Sequence, residues 1–299
     1  MSFHKPLVVV SGATGAQGGS VVNTLLATGK YRVRALTRNP KSDKAKALVA
    51  KGAEVFKADL SIKEDVKNAL KGSDIAYIVT DFFDPSIYPN NIGEEERQAK
   101  MIGDVAKEIG LNWLIYSSLP TTIEGFEEHN YNVANFNGKN RAEKYIRTLG
   151  IPNSTFIYVG FYGRNFGTFY PIITKDDGTS ELIVPLVKED STIEMVDAET
   201  DTGPVVAKVI EEGPEKWNGK KVPVASERIT FGKIAETFTK VAKKRKKNFP
   251  LFSEALLEMN RWIKEYGLFL ADPEACDISI AKVLHPKITT FEQYAYKKW

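Results

Sequence analysis

The chain has 299 residues with 42% hydrophobic and 26% charged residues, enough for one large α/β unit or two lobes with a substantial core. Its 41 basic and 38 acidic residues leave a formal net charge of +3, too balanced to imply nucleic-acid or membrane binding from bulk charge. A single cysteine, Cys276, excludes an internal disulfide and fits a reducing, intracellular setting; no apolar stretch reaches transmembrane length, and the start reads as a strand rather than a leader.

In chain order, Leu7–Val10 is a continuous apolar run, the signature of a strand buried on both faces of a parallel sheet. Val21, Val22, Leu25 and Leu26 recur at helical spacing and Gly29 closes that helix. Tyr31–Thr37 reads as a second strand, a helix through Ala45, Leu48 and Val49 stops at Gly52, and Glu54–Lys57 is a third strand. Ser61 and Glu64 have capping-box spacing, so the pattern predicts a helix over Ser61–Lys71 with Gly72 as its stop. Strands follow at Ile75–Thr80, Trp113–Tyr116 and Thr155–Val159, separated by helices at Glu94–Ile109 and Phe136–Leu149.

Six strands alternating with five helices predict an α/β fold: a Rossmann-type, doubly wound parallel sheet over residues 1–159. Beyond Gly160 the pattern loosens, with helices expected at Val205–Ile210, Ile229–Val241 and Glu254–Tyr266; residues 160–299 read as a smaller mixed α+β lobe covering the carboxyl edge of the sheet.

Between the first strand and the first helix runs Gly12-Ala13-Thr14-Gly15-Ala16-Gln17-Gly18. In that context a GxxGxxG loop is a dinucleotide signal: Gly12 permits a tight turn, Gly15 lets the backbone approach a diphosphate, Gly18 permits close helix packing, and the first-turn amides meet the phosphates. NAD-binding units usually end the second strand in an acid that holds the ribose 2′-hydroxyl. Here the end is Leu36-Thr37-Arg38, whose guanidinium suits a 2′-phosphate, so NADP(H) is expected over NAD(H). Asp59, after the third strand, is a candidate for the adenine amino group or a helix cap. Thr80, Phe82 and Phe83 after the fourth strand and Phe161 and Tyr162 after the sixth are candidates for the nicotinamide region; the aromatic ones are better suited to filling the cleft between lobes.

The stretches GATGAQGGSV, VRALTRNP, YIVT, TFIYVGFYGRNF, MVDAETDTGPVV and EEGPEKWNGKKV resemble the NmrA-like family of atypical short-chain dehydrogenase/reductase folds, over nearly the whole chain and most weakly in its last fifty residues. The resemblance implies dinucleotide binding coupled to protein partners, a transcription factor among them, and allows a homodimer; direct nucleic-acid or membrane contact is not implied. Reductases of this fold use a Tyr-x-x-x-Lys pair on the helix after the fifth strand. Lys139 matches the lysine, but Asn135 stands in the tyrosine's place and has no titratable proton to give. Tyr131 lies two turns back from Lys139, and the usual serine survives as Ser117 or Ser118, either of which also suits a cap. These residues favour an NADP(H)-binding regulator or redox sensor without efficient catalysis, with Lys139 holding the nicotinamide ribose; the alternative is an NADPH-dependent reductase of a small carbonyl or quinone, in which Lys139 would be catalytic.

Other stretches are less specific. The basic run within residues 242–248 reads as a solvated helix end or a nuclear-import signal, which leaves a cytoplasmic or nuclear location open. Glu94–Glu96 suits a helix N-terminus without further role. The loop Asp81–Asn91 falls at the sheet's carboxyl edge as a lid, a partner surface or an ordered connection. His4, His129 and His285 are scattered and no spacing suggests a metal site.

Overall fold

A computed structural model describes residues 5–125, 131–174, 180–241 and 254–299. Its main sheet has seven parallel strands: β1 (Leu7–Val10), β2 (Arg32–Thr37), β3 (Glu54–Lys57), β4 (Ile75–Ile78), β5 (Trp113–Ser118), β6 (Asn153–Val159) and β11 (Lys221–Val224). Their spatial order is β11-β6-β5-β4-β1-β2-β3. The connections are α1 (Ala16–Thr28), α2 (Asp43–Ala50), α3 (Lys63–Leu70), α4 (Glu94–Glu108) and α5 (Ala134–Thr148). The strand order reverses between β1 and β4, and sheets of this kind take ligands in a crevice at the carboxyl ends of such a switch point.

Alternation along the strands builds two cores. Val8, Val10, Ile75, Tyr77, Trp113 and Ile115 face one side, where α1 and α6 (Ala198–Glu212) pack. Val9, Ala76, Ile78, Leu114 and Tyr116 face the other, against α3, α4 and α5. The α1–α6 contact is close because Gly203 has no Cβ, which would run into the Ser20 carbonyl; the Gly203 N–H instead donates to Ser20 Oγ at 2.9 Å.

The second half of the chain therefore supplies α6 and β11 to the main layers as well as a separate lobe. In β11, Pro223 is tolerated because the strand lies at the sheet edge and pairs only with β6. The smaller lobe has a three-stranded sheet of β7 (Phe161–Tyr162), β10 (Thr192–Val196) and β12 (Glu227–Thr230), and a hairpin of β8 (Ile172–Thr174) and β9 (Ser180–Leu182). Short helices α7 (Pro214–Trp217) and α10 (Ser279–Leu284) lie against β6 and β11 of the main sheet, and α8 (Phe231–Val241), α9 (Glu254–Tyr266) and α11 (Phe291–Lys298) pack around the smaller sheets. Among the described residues no helix is long and apolar enough to cross a membrane.

Three local expectations change. Ser61 does not cap: its hydroxyl donates to Asp59 Oδ1 at 2.7 Å, and α3 begins only at Lys63 with Ile62 as an uncapped lead-in. Ile229 and Thr230 belong to β12, so α8 starts at Phe231. The helix expected at Val205–Ile210 extends back to Ala198, because Asp197 and Thr200 close its first turn through a 2.8 Å hydrogen bond.

Candidate functional site

Gly12 sits at φ +57°, a left-handed conformation that favours glycine, and a Cβ there would lie 2.8 Å from Val79 Cγ1. A Cβ at Gly18 would collide with the carbonyls of Ser11 and Gly12, so Gly18 permits the close approach of helix to loop. Gly15 differs: a Cβ there would meet only the Gly12 carbonyl, at 3.2 Å, and its other side is open. Gly15 is also the N-cap of α1 and offers no side-chain acceptor, which leaves the first-turn amides of Ala16, Gln17 and Gly18 without a side-chain cap. Gly12 and Gly15 are exposed, and Thr14 and Ala16 half-buried, at the carboxyl end of β1. Uncapped amides behind an exposed glycine turn form a cradle that fits a diphosphate.

Gln17 has a different place. Its side chain is buried and joins four elements: Tyr77 OH and Ser117 Oγ each donate to Oε1 at 2.8 Å, and Nε2 donates to Tyr162 OH. Burial pushes the Tyr162 phenol up to about 12 and Tyr77 higher, so both hydroxyls stay protonated. Only the Gln17 backbone is left for a ligand, and Ser117 is committed to this network. Ser118 Oγ makes a long 3.5 Å contact to the Lys139 carbonyl.

Arg38 directly follows β2, and its Nη2 lies 2.6 Å from Asp84 Oδ2. Burial pushes the Asp84 carboxyl up, but hydrogen bonds from Ser86 and Arg38 outweigh it and hold the group at about 2. Asp59 caps its own turn, accepting from the Ser61 N–H at 2.9 Å and hydroxyl at 2.7 Å, and these bonds lower its pKa. Arg38, Asp59 and Asp84 thus share one region.

Lys139 on α5 is 8% exposed. Its Nζ donates to Thr80 Oγ1 at 2.9 Å and the Thr80 carbonyl at 3.2 Å, and pairs with Glu95 Oε1 at 2.7 Å. Thr80 Oγ1 in turn donates to Glu95 Oε1 at 2.9 Å. One turn before Lys139, Asn135 is buried with Oδ1 unpartnered among the described residues, as is Glu95 Oε2. Two orphaned buried acceptors beside a lysine leave hydrogen-bonding capacity for a polar ligand. Tyr131 is turned into aromatic packing with Trp262 and Tyr266, at centroid distances of 6.0 and 6.1 Å. Phe161 packs on Phe166 and Tyr170 at 5.4 and 5.6 Å, and Phe82 against Phe83 and Tyr88 at 5.2 and 5.4 Å.

Two residues here escape the sequence reading. Asp84 becomes visible only when the loop after β4 folds back on β2. Glu95 carried a usable signal: with Ala99, Ile102 and Ala106 it lies on the buried stripe of α4, where an acid is out of place. Glu94 and Glu96, by contrast, pair at the surface with Arg97 and with Lys100 and Arg141. Among the described residues no cluster could hold a metal ion, and His285 pairs with Asp201 at 3.2 Å. His4, His129 and the basic run at 242–248 lie outside the described residues.

Comparison with known proteins gives the family and matches the fold. The NmrA-like family model matches residues 4–295. An NmrA-like family domain-containing protein of Dictyostelium discoideum is 30% identical, covering 97% of each chain. The NmrA-like family domain-containing oxidoreductase cpsB of Aspergillus campestris is 35% identical over 79% of this chain and 73% of its own. Crystal structures of NmrA, a negative transcriptional regulator, superpose with a TM-score of 0.82 in both the NADP and the NAD complex, at 24% and 25% identity and with 99% of this chain and 96% of theirs covered.

Proposed function

Because the chain belongs to the NmrA-like family, we propose that it is an NADP(H)-binding regulator or redox sensor that acts through a protein partner, without efficient catalysis. The observation that carries this reading is Asn135. It occupies the turn before Lys139 where a reductase of this fold needs a proton donor, and an amide gives none. The groups that position a dinucleotide remain: the amides of Ala16–Gly18 for the diphosphate, Arg38 for a 2′-phosphate, Asp59 for the adenine, and Thr80 with Lys139 for the nicotinamide ribose. Arg38 supports a preference for NADP(H). A bound dinucleotide would report through the Gln17–Tyr162 hydrogen bond, which links the crevice to β7 of the smaller lobe. That the similar protein NmrA is a negative transcriptional regulator supports a transcription-factor partner, and with it a cytoplasmic or nuclear location.

A second reading, an NADPH-dependent reductase of a small carbonyl or quinone, is favoured by the oxidoreductase name of the Aspergillus campestris relative and by the buried Lys139–Thr80–Glu95 group. The two separate in one assay. Purified protein with NADPH and a panel of quinones and aldehydes should oxidise the cofactor far below about 1 s⁻¹. Steady turnover at or above that rate supports the reductase, and a partner retained on the protein only with NADPH bound supports the regulator.

A further inference from the structure

The two halves of the Arg38–Asp84 pair are held very differently. Asp84 is the fixed half: its side chain is only 10% exposed, its Oδ1 accepts from the Ser86 N–H at 2.9 Å and the Ser86 hydroxyl at 2.6 Å, and its carbonyl accepts from the N–H groups of Ile87 and Tyr88. That leaves Oδ2 for Arg38. The arginine side chain is 63% exposed at an open strand end, so it is the half that can swing without loss of packing. Asp59 and Asp81 add further negative potential around the guanidinium.

An acid that accepts from a ribose 2′-hydroxyl ordinarily ends the second strand. Here the strand end provides the cation, and a carboxylate arrives beside it from the segment after β4. We propose that Asp84 is a specificity-determining residue for dinucleotide choice: a fixed carboxylate that takes the 2′-hydroxyl of NAD(H), and that holds down the advantage Arg38 gives NADP(H) by sharing its charge. The inference rests on the dinucleotide reading above. An incoming 2′-phosphate must divide the guanidinium with Asp84 and meets a like charge that cannot retreat, since Ser86 and the following turn hold it. A 2′-hydroxyl meets no such repulsion and finds an acceptor. One pair of residues therefore admits both dinucleotides, and the carboxylate sets the ratio.

The test is isothermal titration of NADP+ and NAD+ into the full chain, its Asp84→Asn and Arg38→Gln variants and the double variant, at fixed ionic strength. Asp84→Asn should tighten NADP+ by about fivefold or more and weaken NAD+ by about threefold, and the gain for NADP+ should vanish in the Arg38→Gln background, as expected for a charge acting through its neighbour. Should Asp84→Asn fail to fold by circular dichroism, Asp84→Ser carries the same comparison. An NADP+ to NAD+ ratio moved by less than about twofold, with both nucleotides still bound, overturns the role of Asp84 alone. Wild-type protein that binds neither nucleotide overturns the dinucleotide reading and this inference together.

Discussion

Lys139 and Glu95 form a buried ion pair, Nζ to Oε1 2.7 Å, in which the carboxylate residue is 1% exposed and the same oxygen accepts from Thr80 Oγ1. The pair joins α4 to α5 and anchors both to the end of β4. A lysine so placed is an oriented hydrogen-bond donor and the carboxylate is its counter-ion. Removing one partner strands a charge in a poorly solvated site, at a cost of about 3–5 kcal/mol. Glu95→Gln should show that loss in urea unfolding, and combining it with Lys139→Met should recover most of it. A single-variant loss below about 1 kcal/mol would mean that Lys139 finds water when its partner is removed.

The glycines of the crevice divide by role. Gly18→Ala places a methyl against the Ser11 and Gly12 carbonyls and should destabilise the fold by about 2–3 kcal/mol. Gly15→Ala meets only one carbonyl, at 3.2 Å, so its unfolding midpoint should stay near the wild type. Its methyl instead occupies the approach to the α1 amides, and dinucleotide affinity should fall about tenfold or more. Thermal unfolding and titration on the same two variants check both halves.

Gln17 satisfies the hydroxyls of Tyr77, Ser117 and Tyr162 together. Gln17→Ala leaves buried groups on β4, β5 and β7 without that partner and should cost about 2–4 kcal/mol. Gln17→Glu should be worse than isosteric replacement suggests, because it places a carboxylate in a buried site among neutral hydroxyls. Urea unfolding of both variants, compared at pH 7, reads this out.

Asp84 gives the acid limb of stability a definite sign. Its folded pKa, about 2, lies below the ordinary carboxylate value. The stability it contributes is therefore complete at neutral pH and is lost as the pH falls from about 4 to about 2. Asp84→Asn lacks that titration, so the gap between wild type and variant in unfolding free energy should be constant from pH 7 to pH 5 and shrink toward pH 3. A gap that does not change over this range contradicts an ionised, hydrogen-bonded Asp84.

The parallel sheet was legible because its central strands are continuous apolar runs and its crossovers carry glycine stops at Gly29, Gly52 and Gly72. The glycine loop was legible from its position between strand and helix. The strand β11 was not: Lys221–Val224 is four residues long, contains Pro223, and is a strand only because an edge of the sheet is open to it. The helix α6 was seen only in part, since its first turn is polar and its small residues gain meaning from the contact of Gly203 with Ser20. The site followed the same division. Backbone features set by local sequence, such as the turn at Gly12, could be read directly. Asp84 and Glu95 pair with Arg38 (84 − 38 = 46 residues away), just after β2, and with Lys139 (139 − 95 = 44 residues away), on α5, and side-chain chemistry at that separation is fixed by the fold rather than by any local pattern.

The central claim is that the crevice behind Gly12–Gly18 binds a dinucleotide by its diphosphate. A crystal structure grown with saturating NADP+ tests it most directly. The account predicts the diphosphate within hydrogen-bonding distance of the Gln17 and Gly18 amides, about 3 Å, with the adenosine ribose beside Arg38 and Asp84. A structure with that crevice empty at saturation, or with the nucleotide bound elsewhere on the molecule, contradicts it.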